Sequence, residues 1–182
     1  LEIALRELMI EKDILSARDI ADKIEEWDGK CPEVGAQIVA KAWTDPAYKS
    51  RLLVDGNAGV GEVGLSVPGL KLVVLENTET VHHMIVCTLC SCYPRPILGL
   101  PPLWYKSREY RSRAVREPRS VLAEFGTDLP DNVEVRVVDS TADCRFLVLP
   151  RRPENTDGWS ADQLAGLVSR DSMIGTAVAR KP

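Results

Sequence analysis

Apolar positions recur at helical spacing through the first third of the chain. Leu1, Ala4, Leu5, Leu8 and Met9 form one stripe. Ile20, Ile24 and Trp27 form a second, behind Ser16, which is placed to cap that helix with Asp19 in its first turn. Asp28-Gly29-Lys30-Cys31-Pro32 breaks the period. Val34, Ile38, Val39, Ala42 and Trp43 predict a third helix, and Asp45-Pro46 supplies an N-cap and a first-turn proline for a fourth, which Gly56 ends. No strand pattern separates these stripes, so they are expected to pack on another chain as much as on this one. Residues 56–69 then carry Gly56, Gly59, Gly61, Gly64 and Gly69. The run lacks the lysine and hydroxyl residue of a phosphate-cradling loop, and no strand leads into it. It reads as a flexible linker and a boundary.

From Leu70 the period changes. Lys71 to Leu75 and His82 to Val86 read as strands on either side of a turn at Asn77-Thr78-Glu79. Pro94, Pro96, Pro101 and Pro102 stiffen the segment beyond the second strand. Ser107 to Glu117 is a basic helix with Arg108, Arg111, Arg113 and Arg116, a pattern that fits a solvated face or an interface. Glu117-Pro118 opens another helix, which Gly126 ends. Val133 to Asp139 and Arg145 to Leu149 alternate like two paired strands, and Ser160 with Gln163 makes a capping box for a helix through Val168. The pattern predicts an α+β fold: a helical arm over residues 1–56, a linker over 57–69, and an α/β domain over 70–182.

Composition narrows the class. Of 182 residues, 45% are hydrophobic and 27% charged, and the net charge is −4. That charge does not favour nucleic acid or an anionic membrane as a partner. No apolar run approaches the ~18 residues of a membrane span. No signal-peptide pattern is visible, and five cysteines make an odd count without a small-disulfide-domain pattern. The expectation is a reducing, cytoplasmic setting. Cys31 and Cys144 stand alone and read as small buried hydrophobes.

The other three cysteines lie within six residues, Cys87-Thr88-Leu89-Cys90-Ser91-Cys92. Thiolates are soft ligands for transition metals. A structural zinc would need a fourth ligand, with His82 or His83 as the candidates. An iron–sulfur cluster ordinarily takes four cysteines. A third arrangement uses the C-x-C step itself. If the amide nitrogens of Ser91 and Cys92 lose their protons, they form a planar set with the sulfurs of Cys90 and Cys92. The sulfur of Cys87 then caps one axial position and leaves one open for a Lewis-acid catalyst. Spacing alone points to a metal and leaves its identity open. Leu100, Leu103, Trp104 and Tyr105 are candidates for an apolar wall nearby, or for core.

The run VCTLCSCYPRPILGLPPLWY resembles the metal-binding loop of the nitrile hydratase alpha subunit family, and the likeness continues through YRSRAVREPRSVLAEFG, RFLVLPRRPENTDGW and SRDSMIG. The resemblance implies a helical N-terminal segment embracing a beta-type partner subunit, and a four-layered α-β-β-α domain carrying the metal. It makes Cys87 the axial ligand and Cys90 and Cys92 the equatorial ones, completed by the amides of Ser91 and Cys92. It implies a sulfinic acid at Cys90 and a sulfenic acid at Cys92. Thr88 and Tyr93 resemble the cobalt branch, which implies non-corrin Co(III) rather than iron. The implied reaction is hydration of a nitrile to its amide, with Cys92 and Ser91 at the reacting centre and Arg95 and Trp104 in the substrate pocket. A metallochaperone or activator is a further implied partner. Two positions depart from the pattern. Arg95 stands where most members have a tryptophan; thiocyanate hydrolases carry arginine there, so the metal-bearing subunit of such an enzyme is the alternative. So is a hydratase of an unusually polar nitrile of the toyocamycin type. Pro68 stands where a glutamine is usual. A rival of another class is a non-catalytic domain built on structural zinc.

Overall fold

The computed structural model describes residues 2–20 and 31–182. Helix α1 spans Glu2–Glu11. Ser16 caps a helical turn at 17–20 as expected, its Oγ accepting from Asp19 N at 3.1 Å while the Asp19 carboxylate accepts from Ser16 N at 2.7 Å. The stripe through Ile24 and Trp27 lies outside the described residues.

Helix α2 (Pro32–Thr44) starts on Pro32 and buries Ile38, Val39, Ala40 and Ala42. Asp45 ends it and caps α3 (Pro46–Val54) by accepting from Tyr48 N at 2.9 Å. Asp55 repeats the device for α4 (Gly56–Gly61), accepting from Ala58 N at 3.0 Å. The glycine-rich stretch expected as a linker is therefore partly helical, and Val60 and Val67 are buried. Its glycines serve close packing. A Cβ on Gly56 would lie 2.5 Å from the Leu72 carbonyl oxygen, and one on Gly59 2.6 Å from Leu52. One hydrophobic core takes in α2, α3 and α4 together with the strands, so the expected division near residue 56 falls inside it.

Among the described residues, four strands make two two-stranded sheets. Strand β1 (Lys71–Glu76) pairs in parallel with β4 (Cys144–Leu149), and β2 (Val81–Val86) in parallel with β3 (Glu134–Asp139). The expected pairing of the last two strands with each other is corrected here. Alternation reports which face of a strand is buried and not which strand lies beside it. Parallel pairing needs a crossover, which α5 (Arg95–Leu98), a 3-10 turn (Leu103–Lys106), α6 (Arg108–Arg116) and α7 (Pro118–Glu124) provide between β2 and β3. The near-continuous burial of β2 is the sign of such a strand.

Helices α3 and α4 pack on β1, and α9 (Arg170–Ile174) on β4. Helix α6 packs on β2 and α7 on β3, while β2 also meets β1 and β4. The result is the α-β-β-α layering. Helix α8 (Ala161–Ala165) carries the predicted capping box of Ser160 and Gln163 and rests on α2.

Candidate metal centre

The cysteine loop begins where β2 runs out. Ser140 N donates to Val86 O at 2.7 Å, the last bond of the ladder, and the chain leaves the sheet at Cys87. Tyr110, on α6, ties down the strand end by donating to Ile85 O at 2.6 Å. Cys87 is fully buried, Cys92 is 8% exposed and Cys90 faces solvent.

The three sulfurs come together. Cys87 Sγ lies 3.4 Å from Cys90 Sγ, and Cys90 Sγ lies 3.1 Å from Cys92 Sγ. All three fall within 4.8 Å of one another. These distances carry angular information. With a metal–sulfur bond of ~2.3 Å, two sulfurs are about 3.3 Å apart at a right angle and about 3.8 Å apart at a tetrahedral one. Both close pairs fit the right angle. The donor set thus suits square or octahedral coordination better than a tetrahedral zinc site. Hydrogen bonds from Cys92 and Cys87 draw the Cys90 thiol down to about 7. Burial pushes the Cys92 thiol up to about 12.

Neither histidine joins the sulfurs. Both rings are buried and occupied within the fold. His82 Nε2 donates to Gly175 O at 2.8 Å and its Nδ1 accepts from Asn77 Nδ2 at 3.1 Å, while His83 Nδ1 donates to Asn77 Oδ1 at 3.2 Å. Desolvation lowers both pKa values and keeps the rings neutral. Among the described residues, the cysteine triad is the only such cluster of metal-ligating side chains.

The loop is anchored by hydrogen bonds that the sequence did not foretell. The Asp139 carboxylate accepts from Thr88 N at 2.9 Å and from Thr88 Oγ1 at 2.5 Å. Arg111 Nη1 reaches Thr88 O at 3.5 Å and Cys90 O at 3.3 Å. Tyr105, fully buried, donates to Cys92 O at 2.8 Å. No sequence signal marks Asp139, because its reach depends on the register that sets it opposite Val86. Arg111 was visible only as one of four arginines on a basic helix.

Of the other expected site residues, Ser91 is half-buried on the loop and Arg95 is exposed at the first position of α5. Trp104 is half-buried, its ring packed edge-on against Tyr110 at 4.8 Å and Phe125 at 4.6 Å between centroids. Tyr105 belongs to the core, whereas Leu100 and Leu103 face solvent.

Comparison with known proteins agrees with this arrangement. The model of the nitrile hydratase alpha chain family matches residues 1–177. The chain is 50% identical to the cobalt-containing nitrile hydratase subunit alpha of Pseudonocardia thermophila, over 97% of its own length and 88% of the relative's. It is 48% identical to the thiocyanate hydrolase subunit gamma of Thiobacillus thioparus, over 99% and 79%. Among solved structures, a recombinant thiocyanate hydrolase with partially modified cobalt centres superposes with a TM-score of 0.92 at 48% identity, covering 98% of this chain and 88% of that one. A double mutant of the iron-type nitrile hydratase from Comamonas testosteroni Ni1 gives 0.91 at 44% identity with the same coverage. With nearly its whole length matched and three sulfurs gathered at the end of β2, the chain belongs to the nitrile hydratase alpha chain family.

Proposed function

We propose that this chain is the metal-bearing alpha subunit of a cobalt-type nitrile hydratase, which adds water to a nitrile and releases the amide. The observation that carries the reading is the right-angled spacing of Cys90 Sγ from Cys87 Sγ and from Cys92 Sγ, in a family named for that reaction. In this reading the three thiolates and the amides of Ser91 and Cys92 are the protein's ligands. Non-corrin Co(III) held there would supply Lewis-acid chemistry. Cobalt is favoured over iron by Thr88 in the loop and by the cobalt-containing relatives, although an iron-type structure is similarly close.

The family resemblance assigns a sulfinic acid to Cys90 and a sulfenic acid to Cys92, each formed at the expense of an oxidant such as dioxygen, and the solvent exposure of Cys90 against the burial of Cys92 supports that order. An oxygen on Cys92 would then serve as a nucleophile or base, and the Ser91 hydroxyl would orient the substrate. Arg95 offers a planar fork of donors at the mouth, which suits a polar or anionic substrate. Trp104, braced by Tyr110 and Phe125, makes a rigid wall. The chain works with a beta-type subunit that closes the pocket. Leu89 is 87% exposed on the loop itself, Leu100 and Leu103 are exposed beside it, and Leu5, Leu8 and Ile14 are exposed near the N-terminus, all suited to such a partner. An activator protein delivers the metal.

A second reading, the metal-bearing subunit of a thiocyanate hydrolase, is favoured by Arg95 and by the Thiobacillus thioparus relative. Metal analysis of the complex purified with its partner, followed by assays on nitriles and thiocyanate, tests both. One cobalt per chain, visible charge-transfer absorption and amide formation from a nitrile are expected. A colourless protein with tightly held zinc and no turnover would overturn both.

A further inference from the structure

We propose that Asp139 and Arg111 are positioning residues that clamp Thr88 from two sides and so set the three-sulfur face before a metal ion enters it. The proposal rests on the reading that Cys87, Cys90 and Cys92 hold a metal.

The loop is irregular, and it places an exposed leucine two residues from a fully buried cysteine. An irregular segment holds one geometry only if its peptide groups are bonded elsewhere. Thr88 is where that happens. Its N–H and its hydroxyl both go to the Asp139 carboxylate, at 2.9 and 2.5 Å. Its carbonyl faces Arg111 Nη1, which also lies 3.3 Å from the Cys90 carbonyl. Arg111 Nε donates back to Ser107 O at 3.3 Å, which fixes the plane of the guanidinium. The two clamping groups come from different elements on either side of the loop. Asp139 is the last residue of β3, opposite Val86 in the ladder, and Arg111 lies on α6, which packs on β2. Cys87 is fixed through its neighbour Thr88, and Cys90 is fixed through its own carbonyl and through its N–H, which donates to Cys87 Sγ at 3.3 Å. The 3.4 Å spacing of those two sulfurs is therefore imposed by the clamp. Neither Asp139 nor Arg111 is placed to be a ligand. Their charges oppose, so the pair sets geometry without adding net charge near the sulfurs. Arg113, on the same helix, provides the contrast: it is held by Glu117 at 2.8 Å and Glu124 at 2.9 Å and has no bond to the loop.

The test is anaerobic titration of the full metal-free chain with Co²⁺ alone, followed by sulfur-to-cobalt charge-transfer absorption. Outer partners of metal ligands are typically worth about 10–100-fold in metal affinity. Asp139→Ala and Arg111→Ala should each raise the apparent Kd within that range and shift the absorption band, because the angles between the sulfurs relax. Asp139→Asn keeps an acceptor for the Thr88 N–H and should recover part of the loss. Arg113→Ala should bind as the parent does. Thr88→Val, which removes the hydroxyl at nearly constant shape, should weaken binding several-fold and serves if Asp139→Ala does not fold. If the parent chain binds no Co²⁺, the metal reading itself fails and the clamp with it. If the parent binds and the Asp139, Arg111 and Thr88 variants bind equally well with an unmoved band, the clamp alone is overturned.

Discussion

A single sulfur decides most at the scale of the residue. Replacing Cys87, Cys90 or Cys92 with Ala should abolish tight cobalt binding, whereas Cys31→Ala and Cys144→Ala should leave one metal per chain, as read by elemental analysis. Retained cobalt in Cys92→Ala would rule out the planar two-nitrogen, two-sulfur arrangement. Arg95→Trp should move relative kcat/KM toward aliphatic nitriles and away from thiocyanate and polar heteroaromatic nitriles, by the altered transition-state binding. An unchanged ratio at equal cobalt content would show that Arg95 faces away from substrate. His82 makes a prediction about pH. Burial holds its folded pKa below the unfolded value of ~6.5, so the unfolded chain binds the extra proton first. Stability should be flat above that pH, fall as pH drops below it, and stop falling once the folded ring is protonated as well. A His82→Gln variant should lose that part of the acid slope in melting temperature against pH. The cysteine cluster was legible in the sequence because six consecutive residues carry it. Asp139 was not, since a contact across 51 positions leaves no trace in spacing.

At the scale of the element, the strands and most helices were legible, and their partners were not. Helix starts announce themselves: Asp45-Pro46 and Ser160 with Gln163 do what their side chains dictate. Strand pairing depends on which crossovers intervene, so the alternation of β3 and β4 suggested a pair that does not exist. Glycine misled for a related reason. In sequence it means freedom, yet Gly56 and Gly59 are there because a neighbour comes too close for a Cβ. Gly175 combines both demands. Its φ is +90°, and a Cβ would lie 2.0 Å from the His83 carbonyl oxygen, which belongs to the strand leading to the cysteines. Gly64 has a φ of +78° in open space. Gly64→Ala should therefore cost about 1–2 kcal/mol from backbone strain alone. Gly175→Ala should cost roughly 3 kcal/mol or more, because the clash adds to the strain. Urea unfolding of the two variants compares them directly, and equal losses would show that β2 yields.

At the scale of the whole molecule, the layered α+β plan was legible through the family resemblance, while the extent of the arm was not. Helices α2 to α4 belong to the core, which leaves the segment around α1 as the outlying part. Leu5, Leu8 and Ile14 are exposed there, and burying such side chains yields about 1.5–3 kcal/mol each. A Leu5→Glu, Leu8→Glu double variant should weaken association with the beta-type subunit at least tenfold by titration, while the chain's own melting temperature stays put. Equal association would place the interface elsewhere.

The parallel pairing of strands far apart in the chain also has a temporal side. During synthesis, Cys87, Cys90 and Cys92 leave the ribosome ahead of β3 and Asp139. At ~5–20 residues per second the interval lasts seconds. For that time the thiols are present without the frame that spaces them, and β2 lacks the neighbour it needs. Pairings of this kind have high contact order and form late in folding. Cobalt offered to the growing chain would meet three ordinary thiols, open to any thiophilic ion. The order of events is therefore built into the topology: β3 must be made and docked before the three sulfurs are framed as a set.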